Sequence, residues 1–295
     1  MRKTATPILF AAAIIWGSAF IVVKESVDSI PTNWLLFIRF GIAALFLSAV
    51  FHKRLKKIDA KHIIGSFWVA LTLYIAYILQ TVAIKYTTPG KNAFITAAYC
   101  VMVPFFMWIF HKGRPDKFNI AAAVVCIIGI GFTAMNPSEL MSVNKGDALT
   151  LAGAVFFALQ ILAIDNAVKK CDPVIVTILQ FAFGALFALI GALIFEHPPT
   201  QFGKSEMFCT LYLGIMSSGI ATLCQIVGQK YAASQSSAAI ILSLESVFGV
   251  IFSVLFGYEK LTYLMTAGFA LIFIAVVTSE TKLNFLRGKK QGENK

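Results

Sequence analysis

The chain has 295 residues, 58% of them hydrophobic and only 13% charged, about half the charged share usual in a soluble domain. With a mean hydropathy of +0.80, lipid is the solvent for most of the chain, which argues for an all-α polytopic membrane protein and against a soluble enzyme. The net charge of +11 falls in short clusters between apolar runs, a pattern that orients membrane segments and offers no face for nucleic acid.

Along the chain, Arg2-Lys3 precede an apolar run that begins at Pro7 and continues to about Val23. No small-residue cleavage site precedes its end, so it reads as a retained span, not a signal peptide. Apolar runs bounded by charges, Pro or Asn predict ten helices, at roughly 7–27, 33–51, 63–84, 92–110, 118–135, 148–168, 174–195, 207–228, 236–257 and 263–279. Each can cross ~30 Å of hydrocarbon at 1.5 Å per residue. Cysteines 100, 126, 171, 209 and 224 show no CxxC spacing, and histidines 52, 62, 111 and 197 fall in predicted loops. Neither a disulfide framework nor a metal site is expected, and no cofactor.

With the N-terminus placed in the cytoplasm and the helices alternating, cytoplasmic segments hold 18 Lys and Arg and external loops hold five. The five are Lys85, Lys91, Lys145, Lys204 and Lys260, while Lys24 and Arg39 belong to spans. This bias predicts both termini inside, with 281–295 as a basic cytoplasmic tail, in the plasma (inner) membrane.

The two halves resemble each other. "LQTVAIKY" (79–86) matches "CQIVGQKY" (224–231), and the same offset sets Pro104 against Gly249. "RFGIAALF" (39–46) lies over "QFAFGALF" (180–187), so Arg39 meets Gln180, and Trp16 and Lys24 lie over Phe157 and Asp165. Residues 1–140 and 141–280 therefore read as two five-helix repeats, and an odd number of spans inverts the second. Inverted repeats suit secondary transporters, because two mirrored halves can exchange roles as inner and outer gates.

No Walker loop, HExxH or GxSxG is present, so the chain is not expected to be an enzyme. The polar residues inside spans are then the informative ones. Glu245 stands about ten residues into the ninth helix, roughly 14 Å deep. A central carboxylate costs on the order of 3 kcal/mol, which favours a protein-facing placement. Two readings are open: a group that accepts a proton or binds a substrate ammonium, and a neutral acid that ties two helices together. Arg39 either receives a substrate carboxylate, snorkels to the interface or forms a structural pair with an acidic residue such as Glu25 or Asp28, and the structural pair is the favoured reading. Gln80 and Gln225 occupy matched positions and either orient a polar substrate or join helices. Gln160 and Gln180 are weaker candidates of the same kind. Trp16, Tyr99 and Tyr77 are candidate aromatic walls, and Pro104 and Gly249 candidate bends or close contacts in gate helices. Lys24 and Asp165, near helix ends, are expected to anchor or cap.

"AIIWGSAFIVVK" (13–24), "NWLLFIRFGIAALFL" (33–47), "QTVAIKYTTPGKNAFITAAYCVMVPFF" (80–106) and "AAIILSLESVFGVIFSVLFGYEKLT" (238–262) together resemble EamA-type transporters of the drug/metabolite transporter superfamily. The resemblance runs from the first span to the tenth. It implies a ten-helix bundle with a central cavity enclosed by all spans but the fifth and tenth, which would lie at the periphery. It also implies export or exchange of small metabolites or drug-like compounds. One departure stands out: Ser246 replaces the proline of the family's LEP, which predicts a less kinked helix after Glu245. The multidrug members' first-helix glutamate has no counterpart between Ile8 and Val23. The expected function is a secondary transporter, an exporter or exchanger of small polar metabolites such as amino acids, with protons as a candidate coupling ion. The alternatives are efflux of lipophilic cationic drugs and, from another class, a membrane sensor or scaffold.

Overall fold

The computed structural model describes residues 2–111, 115–134, 145–200, 202–258, 260 and 262–281. The basic tail, the linker at 135–144 and Glu259 therefore lie outside the described residues. The described chain is helical, with no strand. The elements are α1 (Arg2–Ser26), α2 (Thr32–Val50), the short α3 (His52–Leu55), α4 (Ala60–Ala83), α5 (Pro89–Thr96), α6 (Tyr99–His111) and α7 (Lys117–Ala134). The second half contains α8 (Lys145–Val168), α9 (Pro173–Phe195), α10 (Lys204–Tyr212), a π-helix (Leu213–Ala221), α11 (Thr222–Tyr231), α12 (Gln235–Leu242), α13 (Glu245–Leu255) and α14 (Tyr263–Thr281).

Eight stretches are long and apolar enough to cross a bilayer, and Lys117–Phe132 and Thr266–Ala275 add two shorter ones. Every run predicted as a span thus contains helix. In hydrocarbon the backbone must satisfy its own hydrogen bonds, which is why these runs coil. Their starts carry capping side chains: Asp59 accepts from His62 N at 3.0 Å, Asp172 from Val174 N at 2.8 Å and Ser234 from Ser237 N at 3.1 Å. Pro89 and Pro173 occupy first-turn positions where their missing N–H costs nothing.

α4 packs on α8 and α9, α2 on α9, α1 on α13, and α7 on α14. Two glycines let α13 pack closely, Gly17 at its contact with α1 and Gly249 at its contact with α5. A Cβ at Gly17 would fall 2.4 Å from Phe248 Cβ, and one at Gly249 would fall 2.7 Å from Ala93 Cβ. Gly17→Ala or Gly249→Ala is expected to cost about 1–3 kcal/mol by overpacking. Gly41→Ala, where nothing lies within 4 Å, is expected to be neutral or slightly stabilising. Thermal unfolding of the purified variants measures the difference.

Two spans are interrupted at equivalent points. The fourth breaks at Ala97-Ala98 between α5 and α6, and the ninth at Ser243-Leu244 between α12 and α13. The 145-residue repeat offset superposes these breaks within one residue and sets Cys100 against Glu245. The unbroken helices expected at 92–110 and 236–257 therefore need correction. The ninth helix is broken without a proline, immediately before Glu245. Serine hydroxyls serve the loosened carbonyls instead: Ser243 Oγ donates to Ile240 O at 2.7 Å, and Ser246 Oγ to Ser243 O at 2.8 Å. In the fourth span, Pro104 sits inside the continuous α6, so the interruption lies at Ala97-Ala98 and Gly249 is a packing contact. The eighth helix also departs from the simple helix expected at 207–228, because nine of its residues form a π-helix.

Candidate functional site

Between the two halves lies a cavity with about 610 Å³ of empty space. Each of the six residues singled out for binding, Glu245, Gln80, Gln225, Trp16, Tyr99 and Arg39, lines it. They converge because the breaks bring Tyr99 and Glu245 to the starts of two half-helices, while α1, α2, α4 and α11 supply the rest. Thr96, on the other side of the first break, also reaches the wall.

Arg39 is 1% exposed. Its Nε donates to Ser218 Oγ at 3.0 Å and its Nη2 to Ser217 Oγ at 3.1 Å. Its Cζ lies 4.7 Å from the centroid of the Tyr77 ring, a distance at which a cation is held by the ring face. The structural pair favoured from the sequence does not form: no carboxylate among the described residues lies within ion-pair distance of Arg39. The reason is geometric. Glu25 and Asp28 sit at the exposed end of α1, and Glu25 accepts from the Tyr258 hydroxyl instead.

The π-helix organises this end of the cavity. An i→i+5 turn is wider than an α turn and frees carbonyls and side chains for other partners. Ser217 O accepts from Trp16 Nε1 at 3.0 Å, so one widened turn positions both the indole and the guanidinium. Gly214 lets α2 approach, because a Cβ there would fall 2.6 Å from Ile42 Cβ.

Glu245 is 5% exposed and occupies the first turn of α13, where the helix dipole favours negative charge. No cation among the described residues pairs with it. The Tyr99 hydroxyl stands beside its carboxyl, short of good hydrogen-bond geometry. Behind them, Cys126 Sγ and Ser243 Oγ are 3.2 Å apart.

The glutamines are partly engaged. Gln80 Nε2 donates to Thr96 Oγ1 at 2.9 Å. Gln225 Nε2 donates to Gln160 Oε1 at 3.2 Å, and the buried Gln160 Nε2 has no partner in the protein. Gln180, the repeat mate of Arg39, is buried and both of its amide atoms are unpaired; it does not line the cavity. Lys24 and Asp165 tie helix ends, as expected. Lys24 Nζ donates to Ile84 O at 2.9 Å and Thr87 O at 3.3 Å. Asp165 accepts from Gln235 Nε2 at 2.9 Å and from Lys169 Nζ at 2.6 Å.

The sequence reading missed Ser217, Ser218 and Thr96. "MSSG" (216–219), a polar pair beside glycine in an apolar run, was a signal for the serines. Thr96 carried none, because "TAAY" contains no helix breaker.

A multi-pass bundle around a mainly apolar cavity that holds a few buried polar and charged groups suits a membrane transporter, and comparison with known proteins gives that class. The model of the EamA-like transporter family matches residues 4–135 and again 144–280; the chain belongs to that family. An uncharacterized transporter of Archaeoglobus fulgidus is 33% identical over 273 residues, 91% of this chain and 83% of the relative. The uncharacterized transporter YvbV of Bacillus subtilis is 25% identical over 291 residues, 96% of this chain and 93% of the relative. Protein PagO of Salmonella typhimurium is 24% identical over 277 residues, 90% of each chain. One crystal structure superposes with a TM-score of 0.78 at 18% identity, covering 97% of this chain and 99% of the other, a likeness of fold.

Proposed function

We propose that the protein is a secondary transporter that exports or exchanges small zwitterionic metabolites, amino acids foremost, by alternating access. One observation carries this reading: a single cavity wall contains a buried guanidinium and a buried carboxyl, neither with an ionic partner among the described residues. Leaving isolated charges in a membrane interior is costly, and a ligand of opposite polarity at each group offsets that cost.

In this reading the Arg39 guanidinium donates two parallel hydrogen bonds to a substrate carboxylate. Glu245 accepts from the substrate ammonium and takes a proton when the site is empty, which would couple transport to protons. Gln80 and Gln225 orient the substrate's polar atoms, and Trp16 and Tyr99 wall its side chain. The breaks at 97–98 and 243–244 let the half-helices tilt about the Gly17–Gly249 contact, so that inverted halves open the cavity alternately. The Lys and Arg bias supports a plasma-membrane topology with both termini in the cytoplasm. Efflux of lipophilic cations is disfavoured by the Arg39 charge in the wall.

Metabolite profiling of medium from cells with and without the overexpressed gene tests the reading. Selective accumulation of amino acids is expected, with resistance to lipophilic cations unchanged. Drug resistance without amino-acid release would overturn it.

A further inference from the structure

A second cavity, with about 630 Å³ of empty space, lies between α4 and α8 and shares no lining residue with the central one. Its lining follows helical spacing on both sides: Lys61, Gly65 and Trp68 on α4, and Ala163, Asn166 and Ala167 on α8 with Lys170 just beyond. Residues seven apart lie on one face, about 10 Å apart along the axis. The groove therefore runs along both helices from a basic end to an apolar end. Gly65 and Ala167 form its floor, where a Cβ at Gly65 would make ordinary contact with Ala167 Cβ at 3.4 Å.

The charges at the basic end are uncommitted. Three nearby basic groups have acidic partners: Arg54 with Asp172 at 2.6 Å, Lys169 with Asp165 at 2.6 Å, and His62 with Asp59 at 2.7 Å. Lys61 and Lys170 have no carboxylate within ion-pair distance among the described residues. Lys230, from the end of α11, acts with them on the Cys171 thiol at the groove end, and Asp59 is the acidic group that opposes them. Asp59 is engaged in capping α4, and the bonds from His62 hold its carboxyl below the usual range. At the apolar end, Trp68 is 58% exposed and Ile64 62% exposed, on a helix surface that faces lipid.

We infer that this groove binds an anionic glycerophospholipid, its phosphate between Lys61 and Lys170 and an acyl chain along Gly65, Ala167 and Trp68. Basic pockets between spans recognise phosphate headgroups in this way, and a Trp at the interface depth packs on the glycerol and upper chain. Both flanking helices belong to the bundle that encloses the central cavity, so a lipid held there would clamp α4 to α8. The inference does not depend on which solute the central cavity carries.

Native mass spectrometry of the full-length protein in detergent, titrated with palmitoyl-oleoyl phosphatidylglycerol and with the matching phosphatidylcholine, tests it. Phosphatidylglycerol is expected to bind at least about tenfold tighter, a ratio worth ~1.4 kcal/mol. Lys61→Gln with Lys170→Gln is expected to abolish that preference, Lys61→Arg with Lys170→Arg to keep it, and Trp68→Ala to weaken binding of both lipids. The control pair Lys56→Gln with Lys57→Gln is expected to leave the preference unchanged. Equal loss in the control pair would mean diffuse surface charge and overturn the site. Inorganic phosphate that displaces the lipid at equal concentration would show a free-anion site and overturn the lipid assignment. If the glutamine pair does not fold, Gly65→Leu, which fills the groove without touching the lysines, must remove the preference, or the inference fails.

Discussion

Glu245→Gln is expected to leave the protein folded and inserted while reducing transport roughly tenfold to a hundredfold, the ratio for a charge-assisted hydrogen bond of about 1.5–3 kcal/mol. The amide is nearly isosteric with the acid and still fits the first turn of α13 beside Tyr99. What it loses is the ability to take a proton and to bear charge. The residual transport in reconstituted vesicles should therefore lose its dependence on pH. Wild-type rate and pH dependence in the variant would mean that Glu245 acts as a neutral tie between helices.

Arg39 offers the converse test, because stability and function should move in opposite directions. An arginine buried without an ionic partner is a cost to the fold. Arg39→Met should keep the packing on Phe40 and Tyr77 and leave thermal stability unchanged or raised, while transport falls to background. Arg39→Lys keeps the charge but loses the planar fork that meets Ser217 and Ser218. It is expected to raise KM for transport about tenfold or more, with the maximal rate less affected. A marked fall in stability for Arg39→Met, together with normal transport by Arg39→Lys, would make Arg39 a structural residue.

The legibility of the sequence followed the physics of each feature. Helices were readable because hydrocarbon allows few other backbones, and the matched family segments agree with the repeat seen in "LQTVAIKY" and "CQIVGQKY". The cavity residues were readable because a polar side chain in a span has few places to go except inward. What could not be read was local backbone geometry. The breaks at Ala97-Ala98 and Ser243-Leu244 have no glycine or proline, and at the second of them serine hydroxyls provide for the freed carbonyls. The π-helix likewise packs against α2 at Gly214, a tertiary contact that a single helix's sequence does not show. Arg39's missing acid belongs to the same class, since Glu25 and Asp28 are near in sequence and on a different surface of the bundle.

The most direct measurement uses reconstituted vesicles preloaded with the amino acid most strongly exported in the metabolite comparison. Its exchange is challenged from outside with three compounds: the same amino acid, its methyl ester and its N-acetyl derivative. The ester removes the charge read by Arg39, and the acetyl group removes the one read by Glu245. Only the unmodified zwitterion should drive exchange, and each derivative should fail by about tenfold or more. Exchange driven equally by all three would contradict recognition of a zwitterion by opposite charges in the cavity.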